Sequence, residues 1–186
     1  NLKNKVAVVT GASGMLGQEF SSALAEYGSD VALIDLDKKL VDKNAKNLNR
    51  AFKSCCKGYS CDVSNESEVK DTIIRIEKEV GKIDILINNA ATKTDSLDKY
   101  FMPLEKYDLD TWKKVMDVNL NGMYIVAKEI GSRMAKRNKG SIIQTSSIYS
   151  SLMASDQSIY KGSKYLGVEI NTPAAYAVSK AGVVGL

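Results

Sequence analysis

Three tyrosines in this chain are followed four residues later by a lysine: Tyr124/Lys128, Tyr160/Lys164 and Tyr176/Lys180. On a helix that spacing places phenol and ammonium on one face. A neighbouring positive charge favours the phenolate, turning a group of ordinary pKa ~10 into a base usable near neutral pH. Spacing alone decides little, because nine tyrosines in a lysine-rich chain of 186 residues yield about one such pair by accident. Tyr124/Lys128 falls inside a long apolar helical pattern and reads as packing. Tyr160/Lys164 follows Ser147 by 13 residues but lies amid Gly162, Gly167 and polar residues, a poor helix. Tyr176/Lys180 has Thr172 as a possible cap, Pro173 suited to a first helical position, and small and apolar residues beyond it. Tyr176 and Lys180 are therefore the preferred pair.

A second chemistry is written in residues 5–17, Lys-Val-Ala-Val-Val-Thr-Gly-Ala-Ser-Gly-Met-Leu-Gly. The valines favour a buried strand, and Gly11, Gly14 and Gly17 allow a sharp turn, close approach of a ligand and tight packing of a following helix. Free N–H groups and the helix dipole at 15–18 would bind a diphosphate without any basic side chain, although a plain strand-to-helix turn has the same pattern. Asp35 ends the next apolar run, 18 residues past Gly17, where a dinucleotide fold places a carboxylate against the adenosine ribose. A carboxylate there repels a 2′-phosphate, and Leu36 follows rather than an arginine, which favours NAD over NADP. Asp35 could instead merely begin a polar turn with Asp37. Asp62 with Val63 is a candidate for the adenine edge or a cap near Ser64, and Asn88, Asn89, Ala90 and Ala91 are small and amide residues suited to close approach of a cofactor.

The elements that must position these groups alternate. Strand patterns occur at 6–10, 31–35, 54–61, 83–87 and 140–147, and helical patterns at 16–27, 40–51, 64–80 and from 108 to beyond 134. In the first helix Leu16, Phe20, Ala23, Leu24 and Tyr27 form the expected apolar face, in the third Ser64 and Ser67 form the N-terminal signature, and the fourth reads as one continuous helix interrupted only by Asn119 and Asn121. Such alternation predicts an α/β fold, a doubly wound parallel sheet of Rossmann order 3-2-1-4-5, with ligands in the crevice between strands 1 and 4.

Composition narrows the function classes. The net charge of +4 comes from scattered lysines, so no nucleic-acid footprint is read. No run reaches ~18 apolar residues and no signal-peptide pattern is found, so no membrane association is expected and the location read is cytoplasmic. Cys55, Cys56 and Cys61 cluster, but no histidine occurs to complete a zinc site, so no metal is expected and the cysteines read as strand residues of a reducing compartment.

Taken together, Thr10-Gly11 with Gly14 and Gly17, Asp35, Asp62-Val63, Asn88-Asn89-Ala90, Asn119 in Asp-Val-Asn-Leu, Ser147 and Tyr176-Ala-Val-Ser-Lys180-Ala-Gly resemble the short-chain dehydrogenase/reductase family over nearly the whole length. The resemblance implies an oxidoreductase that interconverts a secondary alcohol and a ketone with NAD. It implies that Tyr176 transfers the proton, Ser147 hydrogen-bonds the substrate oxygen, Lys180 holds the ribose and lowers the tyrosine pKa, and Asn119 supports a proton-relay water. Cofactor contacts are implied for Gly11, Ser13, Gly14, Met15, Leu16, Gly17, Asp35, Asp62, Val63, Asn89, Ala90, Ala91, Tyr176 and Lys180. A small-molecule substrate and a homodimer or homotetramer of the full-length protein are implied as partners.

Departures from the family pattern carry information. The middle glycine stands where the extended branch has it, with Met15 at the classical position, and Ala91 replaces the usual glycine. The 29 residues from Ser147 to Tyr176 exceed the common spacing, and the insertion 148–172 resembles members linked to sugar or flagellin modification, pointing to a nucleotide-sugar or polar secondary alcohol. Residues 1–186 read as a single NAD-binding domain truncated after the start of the catalytic helix, the last strands of the fold being absent. A family member that binds dinucleotide or a partner without catalysis is the alternative reading.

Overall fold

The computed structural model describes residues 1–151 and 157–186. Its elements run β1 (Val6–Thr10), α1 (Met15–Glu26), β2 (Asp30–Asp35), α2 (Lys38–Ala51), β3 (Cys56–Ser60), α3 (Glu66–Glu79), β4 (Ile85–Asn88), α4 (Leu97–Tyr100), α5 (Leu109–Met116), α6 (Met123–Lys136), β5 (Ser141–Gln144), β6 (Lys164–Tyr165), β7 (Val168–Glu169) and α7 (Ala174–Gly185). A π-helical turn, Asp117–Gly122, joins α5 to α6. Two compact units result, Asn1–Ala90 with Gly122–Gln144, and Ala91–Asn121 with Thr145–Leu186.

The first unit is a five-stranded parallel sheet of order β3-β2-β1-β4-β5, as the alternating pattern predicts. Register explains the core: Val9 stands beside Leu33 and Ile87, and Val31 beside Cys56, so these side chains share one face. They pack with Ala25 of α1 and Val41 and Ala45 of α2. Burying each larger aliphatic side chain is worth roughly 1.5–3 kcal/mol. Val8, Ala32 and Leu86 point to the opposite face and are equally sealed. Cys56 lies in β3 and Cys61 just past it, both buried, and burial pushes their thiols up to about 11; Cys55 is exposed and precedes the strand, against the expectation of three strand cysteines. Among the described residues no cluster of His, Cys, Asp and Glu could hold a metal, and no helix is long and apolar enough to cross a membrane.

Local details differ from the sequence expectations. On α1 the fully buried residues are Gly17, Ser21 and Ala25; of the expected apolar face, Phe20 and Leu24 pack half-buried against the core, while Leu16, Ala23 and Tyr27 are exposed. Small side chains at the contact let the helix approach the sheet closely. Helix α3 is capped by Asn65, which accepts from the N–H groups of Ser67 and Glu68, not by Ser64 or Ser67. Tyr124 and Lys128 on α6 are surface residues rather than packing: Lys128 bonds Glu66 at 2.7 Å and lies 5.9 Å from the Tyr124 ring centre.

The second unit is built on α4, α5 and α7. Tyr100, Val115 and Ala175 form its buried cluster, with Phe101, Tyr107, Trp112 and Tyr176 against them. A Cβ on Gly182 would lie 2.8 Å from Leu120, so the glycine is what allows α7 to close on the π-helical turn. Of the insertion 148–172, residues 152–156 lie outside the described residues. The remainder forms 3-10 turns Ile148–Ser150 and Gln157–Tyr160 and the β6–β7 hairpin. The hairpin turns at Leu166 and Gly167, both with positive φ, as a two-residue connection of this hand requires. Pro173 stands at the N-cap position of α7 rather than in its first turn, no side chain caps the helix, and the Thr172 backbone N–H donates to Gln157.

Candidate functional site

In the first unit the carboxyl ends of β1 and β4 are stitched by one hydroxyl. Thr10 Oγ1 accepts the N–H groups of Asn89 (2.9 Å) and Ala90 (3.0 Å) and donates to Asn88 Oδ1 at 3.2 Å. Asn89 returns a side-chain bond to the Thr10 carbonyl at 3.2 Å, and Asn88 reaches the Met123 carbonyl at 2.7 Å. Gly11 follows with φ +63°, and a Cβ there would stand 2.9 Å from the Ala90 Cα. The glycine turn and the Asn-Asn-Ala segment therefore meet as expected.

Helix α1 begins without a side-chain cap and without an acid in its first turn, which leaves the N–H groups of Met15, Leu16 and Gly17 without intrahelical acceptors. Ser13 Oγ is buried with no hydrogen-bond partner among the described residues. These orphaned donors and the uncapped helix end fit a diphosphate. Asp35 is clamped beside them: Oδ2 accepts from the Ser13 N–H and Oδ1 from the Leu36 N–H, each at 2.8 Å. On the next strand, Asp62 Oδ1 accepts both the N–H (2.9 Å) and the hydroxyl (2.6 Å) of Ser64, which is the turn-capping role. Val63 beside it is buried.

In the second unit, Tyr176 and Lys180 are one turn apart on α7. Lys180 is 2% exposed, and its Nζ donates to the Thr145 carbonyl at 2.7 Å. Burial disfavours its charge and pulls its pKa down to about 8. Ser146 ties the same helix down by donating to the Lys180 carbonyl at 2.8 Å. Ser147 Oγ accepts the Tyr149 N–H at 3.2 Å, which orients its hydroxyl oxygen. Asn119, fully buried in the π-helical turn, accepts the Thr92 N–H at 2.8 Å through Oδ1, while its Nδ2 has no partner among the described residues.

Tyr176 faces a cavity of about 360 Å³ whose lining includes Ala91, Tyr100, Phe101, Tyr149, Tyr160 and Tyr165. The Tyr160 and Tyr149 hydroxyls share a hydrogen bond, and the Tyr149 ring meets the Tyr176 ring edge-on with centres 6.2 Å apart. That shared proton, with burial second, pushes the Tyr149 phenol up to about 12. Tyr160 and Lys164 do not share a helix face, one lying in a 3-10 turn and the other in β6. Sequence reasoning missed Tyr149, whose position two residues beyond Ser147 was a usable signal, and Tyr165, which no local pattern marks.

The family model described as short chain dehydrogenase matches residues 5–172. A sorbose reductase of Candida albicans is 38% identical over 149 residues, covering 80% of this chain and 51% of its own. A Yarrowia lipolytica protein named "Probable NADP-dependent mannitol dehydrogenase" is 38% identical over 148 residues, with the same coverage of 80% and 51%. The crystal structure of an NAD+-bound xylitol dehydrogenase matches with a TM-score of 0.81 at 29% identity, over 100% of this chain and 63% of that one. The chain spans about half the length of these curated relatives.

Proposed function

Because this chain belongs to the short-chain dehydrogenase family, we propose that it transfers a hydride between NAD(H) and the secondary alcohol or ketone of a polyol or sugar derivative. The observation that carries this reading is the pairing of a cavity-lining Tyr176 with a buried Lys180 one turn away on α7. The nicotinamide, when bound, accepts or supplies the hydride. In the oxidative direction Tyr176 takes the alcohol proton through its phenolate oxygen, and in the reductive direction its hydroxyl returns it. The Lys180 ammonium, steadied by the Thr145 carbonyl, stabilises the phenolate and binds the ribose. Ser147 hydrogen-bonds the reacting oxygen, and Asn119 holds a water of the proton relay.

In this reading residues 1–186 belong to one NAD-binding domain. Gly11, Ser13, Gly14, Met15, Leu16 and Gly17 bind the diphosphate, Asp35 the ribose, Asp62 and Val63 the adenine side, and Asn89, Ala90 and Ala91 the approach to the nicotinamide. The Asp35 carboxylate favours NAD, since it would repel a 2′-phosphate. The relatives include an NADP-dependent and an NAD+-bound protein, and the sorbose, mannitol and xylitol in their names support the substrate class. The active assembly is a homodimer or homotetramer through 109–136 and α7, where Leu109, Val178 and Val184 expose apolar side chains. NADH formation by the intact protein across a polyol panel tests the reading. Turnover with NAD supports it; NAD binding without turnover of any alcohol would leave a dinucleotide-binding protein that lacks catalysis.

A further inference from the structure

The cavity in front of Tyr176 has an uneven charge distribution. Among the described residues its lining includes one charged side chain, Lys93, and no carboxylate. Lys93 is solvent-exposed as well as cavity-lining, which puts it at the rim. Lys114 pairs with Asp95 at 2.7 Å and Lys128 with Glu66 at 2.7 Å, whereas Lys93, like most lysines of the chain, has no acid within 4.0 Å among the described residues. Its ammonium instead lies 4.5 Å from the centre of the Tyr165 ring and 3.4 Å from the Tyr165 hydroxyl.

Tyr165 belongs to the β6–β7 hairpin, and Phe101 packs edge-on against it with ring centres 6.3 Å apart. The hairpin therefore holds the lysine against an aromatic residue, a contact that engages one N–H on the Tyr165 hydroxyl, leaves two donors available and restricts its rotamers. The remaining wall offers aromatic faces, the Thr92 and Asn171 side chains and the phenol hydroxyls. A neutral polyol satisfies these groups but brings no counter-charge to Lys93, the one cation of the described lining. Resting on the oxidoreductase reading above, we propose that the substrate is a polyhydroxy compound carrying an anionic group, a carboxylate or a phosphate, which Lys93 pairs at the cavity rim. In a partly wet rim such a pair acts mainly on substrate binding and is screened by salt.

The test uses three matched six-carbon probes, D-glucitol, D-gluconate and D-glucitol 6-phosphate, with the intact protein. Calorimetric binding in the presence of NADH is measured for the parent, Lys93→Met and Lys93→Arg, alongside initial rates with NAD. The proposal expects at least one anionic probe to bind about tenfold or more tightly than D-glucitol at low salt, and expects this advantage to vanish in Lys93→Met and return in Lys93→Arg. Tighter binding of D-gluconate alone or D-glucitol 6-phosphate alone assigns the source of the anion. Equal binding of all three probes by the parent overturns the proposal, as does an anionic advantage that survives Lys93→Met. If the anionic preference holds while no probe yields NADH, the Lys93 assignment stands and the oxidoreductase reading loses its support.

Discussion

The Lys180 ammonium is 2% exposed and donates to the Thr145 carbonyl at 2.7 Å, where the backbone leaves β5 toward Ser147. One hydrogen bond thus fixes the charged residue of α7 to the segment that carries the serine. Burial has lowered the Lys180 pKa to about 8 from its ordinary 10.5, and this has a consequence for stability. Below about pH 8 the ammonium is charged both folded and unfolded, and its full burial cost is present. Between about 8 and 10.5 the folded chain releases the proton while the unfolded chain keeps it, so stability rises with pH. Denaturant unfolding of the parent and of Lys180→Met, both without cofactor, should therefore give a difference that moves toward the parent by up to about 3 kcal/mol across this window. A pH-independent difference would show that burial does not penalise the charge.

Cofactor preference rests on Asp35. NAD should bind more tightly than NADP, and Asp35→Asn should narrow the gap by removing the charge. Because Asp35 also anchors the Ser13 N–H, some loss of NAD affinity should accompany the change. Calorimetric titration of both cofactors checks this, and equal affinities in the parent would contradict it.

The glycines of the loop separate folding from binding. A Cβ on Gly17 would lie 2.7 Å from the Ala12 Cα, whereas one on Gly14 would meet only the Gly11 carbonyl at 3.4 Å. Gly17→Ala should lower stability by about 1–3 kcal/mol or more through overpacking. Gly14→Ala should fold normally and weaken NAD by crowding the diphosphate. Thermal unfolding and NAD titration of both variants distinguish these effects, and equal stabilities would remove the packing argument.

Much of this was legible in the sequence because it depends on local pattern. Strand order, the glycine turn and the position of Asp35 follow from alternating apolar runs and short spacings. The π-helical turn at Asp117–Gly122 was not, since one extra residue barely changes the apolar stripe of a helix expected to be continuous. The face of α1 was legible in part: Phe20 and Leu24 pack on the core as the stripe predicts, but full burial follows the small side chains of Gly17, Ser21 and Ala25. The hairpin had no readable signal: its strands are two residues long, and Tyr165 meets its partners Phe101 and Lys93 only in the folded chain.

Tyr160 and Tyr149 share a hydroxyl hydrogen bond in the cavity. Tyr160→Phe should release the Tyr149 hydroxyl and raise KM several-fold while leaving kcat within about threefold, as loss of a binding contact does. A collapse of kcat with unchanged KM would assign Tyr160 to the chemistry.

The central claim is that Tyr176 carries the proton. In the intact protein, Tyr176→Phe keeps the ring that packs beside Tyr149 and removes only the hydroxyl. The decisive measurement is kcat of Tyr176→Phe against the parent with a turned-over alcohol, together with NADH affinity. The account predicts a fall of at least ~100-fold in kcat with NADH binding little changed. Parent-like turnover in Tyr176→Phe, with activity abolished in Tyr160→Phe, would contradict it and transfer the catalytic role to the insertion.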